Sequence, residues 1–352
     1  MQNHIFVVDD NGHSHHKLAY MLNGQIKTLK IPSIIGDGAS QITDTQGIPQ
    51  DTYQVNGRRF CCNTQIQTQI DLRNEGYQIS DENKALLGHA IVQAKLPKKP
   101  IILGVTLPWR QAYQGSGTPN TKRIEEVSKH YSNGSIINLT DNDQISFSRA
   151  KPYSEGLSAF FDWGIDDNGS LSAVHELQGP VAVADIGGST TDIITVLGGR
   201  ALNIDHSRSD TKKIGVLDAK SQVSALVAEK LQKETGVDPD ADGGVPDWML
   251  QQIINSGEIK LGSEAPIDVQ EELDQIFQSV ASQIVSYVKT TLGNPLSYQA
   301  LVFAGGGAIV FKKYLSVLYP HAVFLDEFAN ARGALKFMMK IDRNTLLAGL
   351  YE

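Results

Sequence analysis

Residues Val181 to Val196 gather the groups that a phosphate site needs into one short stretch. It reads as a buried apolar strand, a tight glycine turn and a second apolar strand. Gly187 and Gly188 permit positive φ and carry no Cβ to obstruct a ligand. Successive amides in such a turn form an anion nest, and Ser189 and Thr190 add hydroxyl donors. Asp185 enters the turn at the end of the first strand, so its carboxylate faces whatever the nest holds. If that is a phosphate, the carboxylate must act through a cation, most simply Mg2+ with its waters kept. The plain alternative is a Gly-Gly hairpin whose Asp caps the turn.

The N-terminus carries a second copy of this design. An apolar strand from Ile5 to Val8 delivers Asp10 into the turn Asn11, Gly12, His13 and Ser14, and a strand begins near Lys17. Asp10 and Asp185 lie about half of the 352-residue chain apart. Two such hairpins at that separation imply two similar domains gripping one nucleotide. A third motif follows downstream, where a buried strand from Leu301 to Phe303 ends in Gly305, Gly306, Gly307 and Ala308 and opens a helix over Ile309–Leu318. Adenosine can lie against bare glycine backbone there; tight strand-to-helix packing is the alternative.

Composition bounds the possibilities. At 41% hydrophobic the chain can bury two cores, and its net charge of −8 argues against a broad surface for duplex DNA. The two cysteines, Cys61 and Cys62, are adjacent, where a disulfide is strained, so free thiols and a cytoplasmic setting are expected. No apolar run is long enough for a membrane span, and no signal peptide is recognisable. A soluble intracellular protein without direct nucleic-acid or membrane contact is the expectation.

The intervening elements must hold these motifs. Residues 37–56 read as surface loop or a small lid, and Arg58–Cys62 as a short strand. Asp81–Leu96 reads as an amphipathic helix capped by Ser80 or Asp81. Pro100–Val105 is a buried strand that ends in Thr106, Leu107 and Pro108, and another strand lies around Ile145–Ser148. A helix is expected after Pro152 with Glu155 in its first turn, where the carboxylate complements the helix dipole. Asp218 is the expected N-cap of a helix over Ala219–Glu234, and Pro266–Leu292 holds a long amphipathic helix. The loop 238–247 is rich in Asp and Gly but lacks the spacing of an EF-hand. His4, His13, His15 and His16 lack a recognised zinc spacing; His13 either meets a phosphate or turns outward.

Asp10 to Lys17, Asp185 to Thr190, Gly305 to Ala308 and the segment Thr106–Pro108 with Pro119–Thr121 together resemble the actin, Hsp70 and sugar-kinase superfamily. Within it they look like the bacterial plasmid-segregation actins of the ParM/StbA type. That resemblance implies an actin-like α/β fold of two domains, each on a five-stranded mixed sheet, with ATP or ADP and Mg2+ in the cleft. It divides the chain into a first domain over residues 1–179, a second over 180–335 and a C-terminal helix over 336–352 that packs back on the first. It implies that Asp10 and Asp185 hold hydrated Mg2+, that Asn11, Gly12, His13, Ser14, Gly187, Gly188, Ser189 and Thr190 cradle phosphate, and that Lys17 neutralises it. Glu155 would position the attacking water, with Asp185 as the second catalytic carboxylate. Gly215, Glu258, Lys260, Gly305, Gly306, Gly307 and Ala308 would meet the rest of the nucleotide. Asn330–Ala334 would begin the last helix, with small residues packed at the hinge. The implied activity is ATP-driven self-assembly into filaments that hydrolysis dismantles, linked to plasmid DNA by a separate DNA-binding adaptor in a bacterial cytoplasm. A small-molecule kinase of the same superfamily is the rival reading, but no general-base Asp stands in the Thr106–Glu125 region.

Overall fold

The structure, a computed structural model, describes residues 4–350 except 67, 116, 167, 172, 173, 175, 199–201, 237, 238, 240–243, 263 and 264. Its plan grows from the two hairpins. In the first half β1 (Ile5–Asn11), β2 (His15–Leu22) and β3 (Gln25–Pro32) form an antiparallel meander. On the other side of β1, β4 (Ile101–Leu107) and then β5 (Phe147–Ser154) add in parallel. The second half repeats this with β6 (Val181–Ile186), β7 (Thr191–Leu197) and β8 (Asn203–Ile204) antiparallel. There β9 (Asp210–Lys212) also pairs with β7, and β10 (Ala300–Ala304) and β11 (Val323–Phe324) add in parallel beyond β6. The orders β3-β2-β1-β4-β5 and β8-β7-β6-β10-β11 are one topology used twice. Both glycine turns therefore leave equivalent corners of equivalent sheets. The second sheet has β9 as a sixth strand where five were expected.

Strands β1, β4 and β6 are buried along their whole length, as central strands covered on both faces must be. The helices α1 (Asp81–Gln93) and α2 (Thr121–Ser132) put Leu86, Ala90, Val127 and Tyr131 into the core of the first half. Ser80 caps α1 by accepting from the Asn83 amide. Residues 36–56 are not simply loop: Gly36–Asp37 and Thr52–Val55 join Arg58–Cys61, Ile136–Asn138 and Asp143–Ile145 in a separate five-stranded sheet. Strands of two to four residues carry too little alternation to stand out in a polar sequence.

Several expected boundaries shift, each for a local reason. The helix expected after Pro152 is absent there, because β5 runs through Pro152 to Ser154. As an edge strand β5 tolerates a proline that donates nothing to a ladder. Gly156, at φ 69°, then turns the chain into α3 (Leu157–Gly164), so Glu155 sits in the corner ahead of the helix and not in its first turn. The next helix, α4 (Val216–Thr235), is capped by Gly215, and Asp218 stands at its third position, accepting from the Gly215 amide at 2.8 Å. The long helix α5 (Gln270–Leu292) begins later than expected, because Ile267–Asp268 pairs with Glu258–Ile259 as a ribbon. The helix after the glycines starts earlier, as α6 (Gly306–Val310), and restarts as a second short helix over Lys312–Leu318. Most of the 238–243 part of the Asp/Gly loop lies outside the described residues.

Two helices tie the halves together. Ala159, Phe160 and Phe161 of α3 share a core with Val183 and Ile194 of the second sheet. Ala331, Ala334 and Leu335 of α7 (Ala329–Phe337) pack on Phe6, Val8, Ala19 and Ile102 of the first sheet. The chain does not stop with α7: a π turn over Met338–Asp342 leads to Arg343–Leu347, and Met338 and Leu346 extend the same cluster. Where α3 and α7 cross, Arg332 and Lys336 both close on buried Asp162, at 2.8 and 3.0 Å. The Gly333 backbone lies so close to α3 that a Cβ there would overlap the Ser158 carbonyl. Gly333→Ala is therefore expected to destabilise the protein by about 1–3 kcal/mol through overpacking. Urea unfolding of the variant measures this, and unchanged stability would show that the crossing is loose.

Candidate functional site

The two turns are closed in the same way. The Gly12 amide donates to the His15 carbonyl at 3.1 Å, and the Gly187 amide to the Thr190 carbonyl at 2.8 Å. Among the described residues, the amides of His13 and Ser14 in the first turn donate to no protein acceptor, nor do those of Gly188, Ser189 and Thr190 in the second. The turns face each other: a Cβ on Gly188 would lie 3.0 Å from that of Ser14. The second turn is braced from behind, where the first amides of α4, Val216 and Leu217, donate to the carbonyls of Gly187 and Gly188. A Cβ on Gly215 would overlap those carbonyls, so this glycine is needed to bring α4 against the turn. The Ser189 hydroxyl oxygen is buried and has no hydrogen-bond partner among the described residues.

Between the turns, acidic groups converge from separate elements. Lys17 stands opposite Asp10 in the β1–β2 ladder and closes on its carboxylate at 2.6 Å. Thr106, near the end of β4, donates to the other Asp10 oxygen at 2.8 Å and lies 3.4 Å from Glu155. Asp185 accepts from the Asn330 side-chain amide at 2.5 Å, and the Asn330 carbonyl oxygen accepts from the Gly156 amide at 3.0 Å. Asn330 of α7 thus links the second turn to the corner that carries Glu155. Asp192, opposite Asp185 in the ladder, accepts from the Trp109 amide at 2.9 Å and from the Thr211 hydroxyl at 2.5 Å.

The electrostatics follow from this crowding. Burial and then the neighbouring Asp10 push Asp185 up to about 7, against the pull of Asn330 and Lys17. Burial likewise lifts Asp192 to about 6, although its hydrogen bonds to Thr211 and Trp109 oppose it. Glu155 is raised well above the usual carboxylate range by burial, with Asp192, Asp10 and Asp185 adding to it. Burial lowers the Lys17 pKa, but Asp10, Asp185 and Glu155 more than offset this and keep it raised. Among the described residues no three such groups come close enough to hold a metal ion between them directly.

The remaining expected residues divide. The His13 ring turns to Tyr77, stacked at 4.7 Å. Gly305, at φ 83°, and Gly307 are needed for packing, since a Cβ on the first would meet Asp185 and on the second Ile186. Gly306 has open space, with Glu327 3.9 Å from where its Cβ would be. Ala308 is buried in the core of the second half. Glu258 and Lys260 pair with each other at 2.9 Å on the ribbon, and no hydrogen bond among the described residues joins them to either turn. Sequence reasoning gave no site role to Thr106, Asp192 or Asn330. Asp192 carries a signal, an acid set in an apolar strand directly opposite Asp185; Asn330 sits at a helix start, where its type reads as a cap.

Comparisons with known proteins agree with this architecture. Residues 4–162 match the family model "Plasmid segregation protein ParM, N-terminal", and residues 183–317 match "Archaeal actin homologue MreB-like, C-terminal". No curated protein sequence matches the chain. Among solved structures, a 15-stranded ParM filament from Clostridium botulinum is 19% identical with a TM-score of 0.75, covering 96% of this chain and 100% of its own. The archaeal actin homologue Ta0583 in complex with ADP is 19% identical with a TM-score of 0.70, covering 96% of this chain and 99% of its own. ParM of Bacillus thuringiensis with ATP is 13% identical with a TM-score of 0.60, covering 97% and 100%. The chain has the actin-like ATPase fold; the ParM model matches its first part and the archaeal MreB-like model its second.

Proposed function

We propose that this protein is an ATPase that binds ATP with Mg2+ between its two halves and polymerises in that state. Hydrolysis then disassembles the filament, and the cycle moves plasmid DNA through a DNA-binding adaptor in the bacterial cytoplasm. The observation that carries the nucleotide part is the pairing of free turn amides with an acid-rich floor. The amides suit phosphate oxygens, and the orphaned Ser189 hydroxyl adds a donor. The carboxylates suit a hard divalent cation with oxygen ligands. We assign residues 1–179 and 180–335 to the two domains, with residues from 336 onward returning to the first. Self-assembly is supported by the likeness to a ParM filament and plasmid segregation by the ParM family model, while the adaptor rests on the sequence resemblance alone.

In this reading Asp10 and Asp185 hold the hydrated ion, which supplies charge neutralisation when bound. Lys17 shares that task, and the amides at 13–14 and 188–190 orient the phosphates. Glu155, fixed by its own amide to the Leu107 carbonyl at 2.8 Å, faces the same space from the corner before α3 and orients water there. Catalysis of this kind is mainly positioning and charge stabilisation. Glycine packing leaves half-buried Gly306 as the open part of the third motif, beside which adenosine would lie.

Two outcomes test this. Glu155→Ala should slow phosphate release by roughly 10²–10⁴-fold while ATP-dependent filaments still pellet and persist. Phosphate release and light scattering followed together decide it; release at the wild-type rate would remove Glu155 from the chemistry. ATP turnover without scattering in the wild type would instead favour a kinase or a monomeric ATPase. The second outcome concerns pH. Because Asp185 is raised from 3.8 to about 7, its contribution to stability is present below about pH 4 and lost as pH rises through about 7. The urea midpoint of the nucleotide- and metal-free protein should therefore fall across that window, and Asp185→Asn should flatten the fall. A wild-type midpoint that rises instead would contradict the crowded-acid account.

A further inference from the structure

Beneath the first turn lies a polar chain that nucleotide binding does not directly use. Successive residues of a strand face opposite sides, so Asp9 and Asn11 leave β1 on the side away from Asp10, as His16 leaves β2 away from Lys17. Asp9, His16, Tyr77, Asn83 and Tyr131 are fully buried in the first half. Asp9 meets His16 Nδ1 at 2.7 Å, and His16 Nε2 meets the Tyr77 hydroxyl at 2.9 Å. That hydroxyl lies 3.4 Å from the Gly12 carbonyl, which also accepts from Ser33 Oγ at 2.7 Å. The Tyr77 ring carries the His13 ring stacked on it. One tyrosine therefore touches two consecutive residues of the turn, and its deeper partner, His16, is itself held by buried Asp9.

Asn11 is held in parallel. It donates to Tyr131 at 3.1 Å and to Asn83 at 3.3 Å, and Tyr131 donates to Asn83 at 2.5 Å. Both neighbours of Asp10 in β1 are thus anchored by buried groups, and Asn11 Oδ1 also lies 3.5 Å from Thr106 Oγ1. A buried polar chain of this kind adds little stability over well-packed apolar residues. Its location supplies the reason to have one: it ends on the peptide that precedes the free amides of His13 and Ser14.

We propose that Tyr77, oriented by His16 and Asp9, is a positioning residue that fixes the Gly12–His13 peptide so that the first turn presents its amides to phosphate. This rests on the nucleotide reading above. Tyr77→Phe keeps the ring and its stack with His13 and removes only the hydroxyl. Calorimetric titration of ADP with Mg2+ should show binding about tenfold weaker than wild type, with thermal unfolding nearly unchanged. His16→Asn should give a similar loss, and the double variant no more than either alone, since the two act in series. Wild-type affinity in Tyr77→Phe, or losses that simply add, would overturn the relay. Amide NMR of the ligand-free protein keeps the test independent of nucleotide binding. Tyr77→Phe should shift the His13 and Ser14 signals even if the wild type binds no nucleotide; unmoved signals would overturn the proposal, while absent wild-type binding would overturn only the nucleotide reading. Should His16→Asn fail to fold, Tyr77→Phe alone decides.

Discussion

Asp10, Glu155, Asp185 and Asp192 reach the floor of the cleft from four different segments, and Lys17 is the counter-charge that acts on three of them. Much of what surrounds this cluster serves to hold it in place against its own repulsion. Thr106 and Lys17 hold Asp10, Asn330 holds Asp185, and the Trp109 amide and Thr211 hold Asp192. Burial without full charge compensation lifts Glu155, Asp185 and Asp192, which is unfavourable for folding at neutral pH. Sites that sacrifice stability in this way are commonly functional. A divalent cation and the amide-bound phosphates of a nucleotide together relieve both the excess negative charge and the unmatched donors.

The duplication is topological and not chemical. The same hairpin opens both sheets, yet the residue opposite the turn acid is Lys17 in the first and Asp192 in the second. The first half thus brings its own neutralising group. The second turns its extra acid toward the Trp109 amide just after β4, which ties the halves together close to the turns. Asn330 makes the other tie, reaching Asp185 and the Gly156 amide from α7. A change in charge at the turns would therefore act directly on groups that join the halves.

Much of this was legible in the chain. Asp10, Gly12, Asp185, Gly187 and Gly188 stood out because acid plus glycine at a strand end has few other uses, and both hairpins form where the apolar runs place them. Local propensity misled at Pro152, where an edge strand absorbs the proline, and at Asp218, where the close approach of the second turn demands a glycine cap. His13 read as meeting a phosphate or turning outward; it lies in the turn and not in a strand, so alternation did not decide its direction, and its ring stacks on Tyr77. The glycines at 305 and 307 read as ligand contacts with tight packing as the alternative, and a Cβ at either would overlap β6. Asn330 was out of reach, because its partners come from positions 145 and 174 residues away.

The central claim is that the acid cluster and the free turn amides form one site for a nucleotide together with its metal. Calorimetric titration of ATP into the wild-type protein, with Mg2+ and again with the metal chelated, tests it most directly. The account predicts clear binding with Mg2+ and binding weakened by at least about tenfold without it, since the phosphates then face uncompensated carboxylates. Equal affinity in both conditions, or no binding in either, would contradict it.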